Sequence, residues 1–172
     1  ADAPGVWNLK MPSHCLWLDT IKQVYPDARF VWTHRDPYTA IGSFCSIISM
    51  GHRGFTGSPD VPWIGENCTY QTDLHLTRIM DYRERHGEDS MADLHYAELL
   101  NDPIATMRNL YAALGDDFTP EAEAAMQQWL DDNPQNKFGK HEYKLDQYGL
   151  SVEALTPMFE RYLSRYAVAK EG

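Results

Sequence analysis

The junction at residues 29–37 constrains this chain more than any other segment. Arg29 to Thr33 (RFVWT) is dense in β-branched and aromatic residues and reads as a buried strand. Asp36-Pro37 follows almost at once. A carboxylate there can accept from the first free N–H groups of a helix, and proline suits the first helical position, where no N–H partner is lost. The spacing predicts a helix with Ile41, Phe44, Cys45 and Ile48 inward, stopped at Gly51. The same order stands upstream. Gly5 to Lys10 (GVWNLK) reads as a strand, Pro12-Ser13 as a stop and cap, and His14 to Tyr25 as a helix with Trp17, Leu18, Ile21, Val24 and Tyr25 on one face. Strand, helix, strand, helix is the signature of an α/β fold, a parallel sheet flanked by helices.

Downstream, residues 51–70 hold four Gly and two Pro and read as a long loop carrying Phe55 and Trp63. Gln71 to Arg85 predicts a helix and Met91 to Tyr96 a further strand. Asp102-Pro103 and Thr119-Pro120 repeat the capping device and predict helices over 103–114 and 120–132. A polar loop with Lys137, Lys140, His141 and Lys144 precedes a last helix over 157–167. The 172 residues, 43% of them apolar, suffice for a single domain with one substantial core.

Composition narrows the function. The formal net charge of −10 argues against binding nucleic acid or an anionic membrane through bulk electrostatics, and no apolar stretch is long enough to span a bilayer. The charge is uneven: residues 1–57 carry a net +1 and the remainder −11, so an anionic ligand is better tolerated in the N-terminal third. Cys15, Cys45 and Cys68 are odd in number and widely spaced, as expected of reduced thiols in a cytoplasmic protein. The seven histidines show no metal-ligand spacing, so no metal is expected.

Two strand ends converge on one kind of chemistry. Lys10 ends the first predicted strand and Arg35 the second, just before a capped helix start. Ligands of open parallel sheets gather at the C-terminal ends of strands, and a helix start favours anions. Arg35 adds a planar donor fork suited to phosphate, and Ser43 a hydroxyl if its face turns that way. A structural ion pair between Arg35 and a neighbouring carboxylate would suit the same residues. His34-Arg35-Asp36 also resembles a kinase catalytic loop, but Ile41 stands where its Asn would be and no Asp-Phe-Gly follows.

The run Trp7-Asn8-Leu9-Lys10-Met11-Pro12-Ser13-His14, then Tyr25-Pro26-Asp27-Ala28-Arg29-Phe30-Val31 and His34-Arg35-Asp36-Pro37 with Ser43, resembles the sulfotransferase family, especially its bacterial-type branch. The resemblance implies the P-loop NTPase-like sulfotransferase fold. It also implies transfer of a sulfuryl group from 3'-phosphoadenosine 5'-phosphosulfate to a hydroxyl of a small-molecule acceptor. In the family an Arg at the strand end and a Ser eight positions on hold the donor's 3'-phosphate, the spacing of Arg35 and Ser43. Tyr96-Ala97-Glu98-Leu99-Leu100 is similar to the segment whose Tyr lies against the nucleotide, and Lys137-Phe138-Gly139-Lys140-His141 to the loop that closes over the 3'-phosphate. Cofactor-binding roles for Tyr96, Lys137, Gly139 and Lys140 follow from that resemblance alone.

Lys10 and His14 are the candidate catalytic pair: sulfuryl transfer needs a base for the acceptor hydroxyl and a cation for charge gathering on the leaving phosphate. Met11, Pro12 and Ser13 separate them here, where the cytosolic branch has one residue between Lys and His, and a structural role for His14 at a helix start stays open. The family's Pro-x-Ser-Gly-Thr-like loop for the 5'-phosphosulfate has no counterpart in these residues. The chain is therefore expected to be N-terminally incomplete, roughly the C-terminal two-thirds of the family fold. A non-catalytic module or fragment that keeps the 3'-phosphate site is the alternative.

Overall fold

A computed structural model describes residues 5–134 and 144–171. Residues 5–11 are irregular and largely exposed, so the strand expected over 5–10 is not formed in the structure. An apolar run becomes a strand only beside a partner that takes its hydrogen bonds, and composition does not report the partner. The expected helix over 14–25 divides into a 3-10 segment, Pro12–Trp17, and α1, Leu18–Val24. Then come β1 (Val31–His34), α2 (Pro37–Thr56), α3 (Val61–His86), β2 (Ala92–His95), α4 (Tyr96–Asn101), α5 (Pro103–Leu114), α6 (Pro120–Asp132) and α7 (Val152–Arg165).

β1 and β2 pair in parallel, Val31 opposite Ala92 and His34 opposite His95. The architecture among the described residues is thus helix-rich α/β with a small parallel sheet. β1 alternates, Trp32 and His34 buried and Val31 and Thr33 outward, so one face carries the core and the strand end carries the site.

The proline-led helices start where their caps dictate: Asp36 accepts from the Tyr38 N–H, Asp102 from Ala105 and Thr119 from Ala122. The long loop expected over 51–70 is a correction. α2 runs through Gly51 and Gly54 to a left-handed Gly57, and Asp60 caps α3 before Pro62. Nothing lies within 4 Å of where a Cβ would stand on Gly51 or Gly54, so these glycines face open space on a continuing helix. Phe55 and Trp63 are helical rather than loop residues, and Trp63 stacks on His52. The last helix begins five residues before Pro157, because Ser151 caps it.

The core has two parts. Leu18, Trp32, Ile79, Met80, Tyr82, Met91, Tyr162 and Tyr166 form one, against the sheet. Tyr38, Ile41, Cys45, Ile64, Cys68, Tyr148, Leu155 and Phe159 form the other, between α2 and α3. α3 and α7 contribute to both.

Candidate anion site at the strand ends

β1 delivers His34 and Arg35 to its C-terminal end, and β2 delivers His95 and Tyr96 beside them. Strand alternation sends His34 inward, where it is 1% exposed. Its ring meets Asp93 at 2.7 Å through Nε2 and the Tyr162 hydroxyl at 3.2 Å through Nδ1. With Asp93 ionised, Nε2–H donates to the carboxylate and Tyr162 donates to Nδ1, the arrangement of a neutral imidazole. Burial pushes the His34 pKa below its ordinary value, against the pull of Asp93 in the other direction.

Asp93 is itself held by Arg83, whose Nη1 and Nη2 donate to its two oxygens at 2.7 and 3.0 Å. Burial alone would raise the Asp93 pKa, but the hydrogen bonds from Arg83 and His34 outweigh it and leave the carboxyl below its ordinary range. The His34 ring stacks at 4.8 Å on His95 and 5.0 Å on Tyr166. Arg35 therefore follows a residue held through both of its ring nitrogens.

The Arg35 guanidinium lies 4.4 Å over the Tyr96 ring. Its Nε and Nη2 donate to the two oxygens of Glu171 at 2.7 and 2.9 Å, a two-point ion pair of the kind the sequence left open. Arg35, Asp36, His95, Tyr96 and Glu98 line a cleft of about 240 Å³, closed on the far side by residues 167–171. Asp36 works twice there, capping α2 and accepting from the Glu171 N–H at 3.1 Å.

Of the site residues read from the sequence, Arg35 and Tyr96 meet in this cleft. Ser43 is half-buried on α2, Lys10 is exposed on the irregular N-terminal segment and His14 is exposed in the 3-10 segment; none of the three lines the cleft. Lys137, Gly139 and Lys140 fall outside the described residues. Sequence reasoning missed His34, Asp93, His95 and Glu171. Asp93, a carboxylate on the expected strand 91–96, was the signal available for the first two, since a charge carried beside a core calls for a partner. Among the described residues, no group of three or more His, Cys, Asp or Glu is placed to hold a metal ion, and no helix is long and apolar enough to cross a membrane.

The sequence profile of the Sulfotransferase family matches residues 1–120. The chain belongs to the sulfotransferase family. It is 27% identical over 157 residues to omega-hydroxy-beta-dihydromenaquinone-9 sulfotransferase Stf3 of Mycobacterium bovis and of Mycobacterium tuberculosis, covering 90% of this chain and 40% of theirs. Sulfotransferase STF9 from Mycobacterium avium superposes with a TM-score of 0.88 at 39% identity, over 98% of this chain and 44% of that one. Sulfotransferase STF1 from M. tuberculosis gives 0.70 at 30% identity, over 88% and 38%. This sulfotransferase chain thus spans less than half the length of the relatives it matches, a smaller share than the two-thirds expected from its motifs.

Proposed function

We propose that the Arg35 cleft is the 3'-phosphate half of a site for 3'-phosphoadenosine 5'-phosphosulfate, and that the whole protein transfers the sulfuryl group from this donor to a hydroxyl of a small-molecule acceptor. One observation carries the reading: at the end of β1, and at the start of α2, the Arg35 fork is stacked on Tyr96 and already grips an anionic group at two points. A planar guanidinium that fits a carboxylate in this way fits two oxygens of a phosphate equally. The cleft, at about 240 Å³, is smaller than the roughly 300–1,000 Å³ typical of small-molecule sites. It suits a phosphate and its immediate surroundings rather than a whole nucleotide.

In this reading Arg35 holds the 3'-phosphate, Tyr96 lies against the nucleotide, and Ser43 adds a hydroxyl donor. Lys137, Gly139 and Lys140 close over the same group. When bound, the donor supplies the transferable sulfuryl group. Lys10 supplies a cation near the charge that gathers on departure, and His14 takes the acceptor proton. Membership of the family supports all of these roles, and the exposure of Lys10 and His14 leaves both open to a substrate. The name of the Stf3 relatives points to a hydroxyl on a largely apolar molecule as the acceptor class. A single domain over residues 1–172 and a cytoplasmic location complete the proposal, the latter supported by three unpaired cysteines.

Calorimetric titration of the whole protein with 3'-phosphoadenosine 5'-phosphate tests the site. Charge-assisted hydrogen bonds contribute about 1.5–3 kcal/mol each, so Arg35→Ala should bind at least about tenfold more weakly than wild type. Absence of wild-type binding at millimolar ligand would sink the functional reading. Equal binding by Arg35→Ala would sink the site.

A further inference from the structure

The carboxylate on Arg35 belongs to the chain's own C-terminal segment. After α7 the backbone reverses: Ala167 takes φ +48, in the left-handed region that residues other than glycine seldom enter, and the Val168 N–H closes on the Leu163 carbonyl at 3.1 Å. That reversal carries residues 167–171 back across the strand ends, where they form one wall of the cleft. Two independent attachments finish it, the Glu171 N–H on Asp36 and the Glu171 carboxylate on Arg35.

Charge decides what this means for a ligand. The cleft wall brings Asp36, Glu98 and Glu171 around Arg35, and burial keeps neighbouring His34 toward its neutral form. The Nε/Nη2 edge of the fork that a phosphate would take in two-point contact is the edge Glu171 holds. A phosphate added beside these carboxylates would meet repulsion without gaining the fork. Asp36 is committed to the helix start through Tyr38 and Thr39 and cannot leave without uncapping α2. Glu171 can: its own attachments are these polar ones and its side chain is 28% exposed, while Val168, packed against the sheet core, anchors the turn behind it.

We infer that residues 169–171 are a removable occupant of the anion site, with the Glu171 carboxylate standing where a ligand's phosphate binds, so that docking of this segment and ligand binding exclude one another. This inference rests on the proposed nucleotide site and adds its regulation. Exclusion is reciprocal: ligand affinity is scaled by the fraction of molecules with residues 169–171 undocked, and bound ligand holds them undocked.

The test titrates 3'-phosphoadenosine 5'-phosphate into the whole protein as wild type, Glu171→Gln and Arg35→Ala, and follows hydrogen exchange of the 169–171 amides. Glutamine keeps the size of the side chain and removes its charge. Glu171→Gln should bind about tenfold more tightly than wild type, and saturating ligand should speed exchange of the 169–171 amides in wild type. Equal affinity of wild type and Glu171→Gln, with binding lost in Arg35→Ala, would overturn the role of residues 169–171 and leave the nucleotide site standing. Weaker binding by Glu171→Gln would make Glu171 an orienting partner of the fork and overturn the inference too. No binding by any of the three would overturn the site and, with it, the inference.

Discussion

Asp93 receives two hydrogen bonds from Arg83 and one from His34, and so joins a cation that is 3% exposed to the residue that precedes Arg35. Removing one member of a buried ion pair typically costs about 3–5 kcal/mol. Asp93 is 35% exposed and Glu88 also faces Arg83 at 3.1 Å, so Asp93→Asn should cost less, about 2–3 kcal/mol in denaturant unfolding. A loss below about 0.5 kcal/mol, the scatter of ordinary surface changes, would show that Arg83 does not depend on it. His34 of this cluster and, separately, His75 on α3 make stability pH-dependent. Burial holds His34 and His75 below their ordinary pKa of 6.5, so between that value and the folded one the unfolded chain binds protons that the folded chain refuses. Their contribution is complete above pH 6.5 and is lost as the pH falls below it. Urea midpoints should drop between pH 7.5 and pH 5.5, two settings chosen to lie on either side of the ordinary histidine value. His34→Gln, which can still donate to Asp93 and accept from Tyr162, should flatten the curve and leave only the His75 share. An unchanged slope would place the titration elsewhere. Little of this network was legible beforehand. Arg35 stands out in the sequence because it follows a strand pattern directly, and Tyr96 through the family resemblance, whereas Glu171 lies 136 residues from Arg35 and nothing local marks it.

Whole elements were easier to read where their limits are set within a few residues. Asp36-Pro37, Asp102-Pro103 and Thr119-Pro120 open helices as expected because cap and proline act on the first turn alone. Asp60-Val61-Pro62 is the same device, but the surrounding glycines hid it inside an expected loop. Composition signals loops, yet a glycine on a solvent-facing turn costs a helix only about 1 kcal/mol, which α2 tolerates twice. Gly65, on α3, has a different reason. A Cβ there would run into the Tyr148 carbonyl oxygen, the backbone of the 3-10 segment Leu145–Tyr148. Alanine is favoured over glycine in an isolated helix by about 1 kcal/mol, but backbone cannot step aside as a flexible side chain can. Gly65→Ala should therefore destabilise by about 1–3 kcal/mol in thermal or denaturant unfolding, as overpacking does. A gain in stability would mean that α3 and this segment do not approach so closely.

On the scale of the molecule, α7 decides whether two cores behave as one. Leu155 and Phe159 sit in the core between α2 and α3, while Tyr162 and Tyr166, one and two turns on, sit in the core against the sheet. Its hydrophobic face is continuous, so opening one core pulls on the helix that closes the other. α3 makes the same connection from the opposite side through Ile64 and Cys68, then Ile79 and Met80. Phe159 is 0% exposed, and truncating such a ring typically costs about 3–5 kcal/mol. If the cores are one cooperative unit, Phe159→Ala should lower the free energy of hydrogen exchange by the same amount at Ile41 and Cys45 on α2 as at Trp32 and His34 on β1, though Phe159 belongs to the first pair's core alone. Loss of protection confined to α2 would instead show two units that open separately. The strand-end cleft would then answer to the sheet core only, and Arg35 would keep its place after the α2–α3 core had loosened.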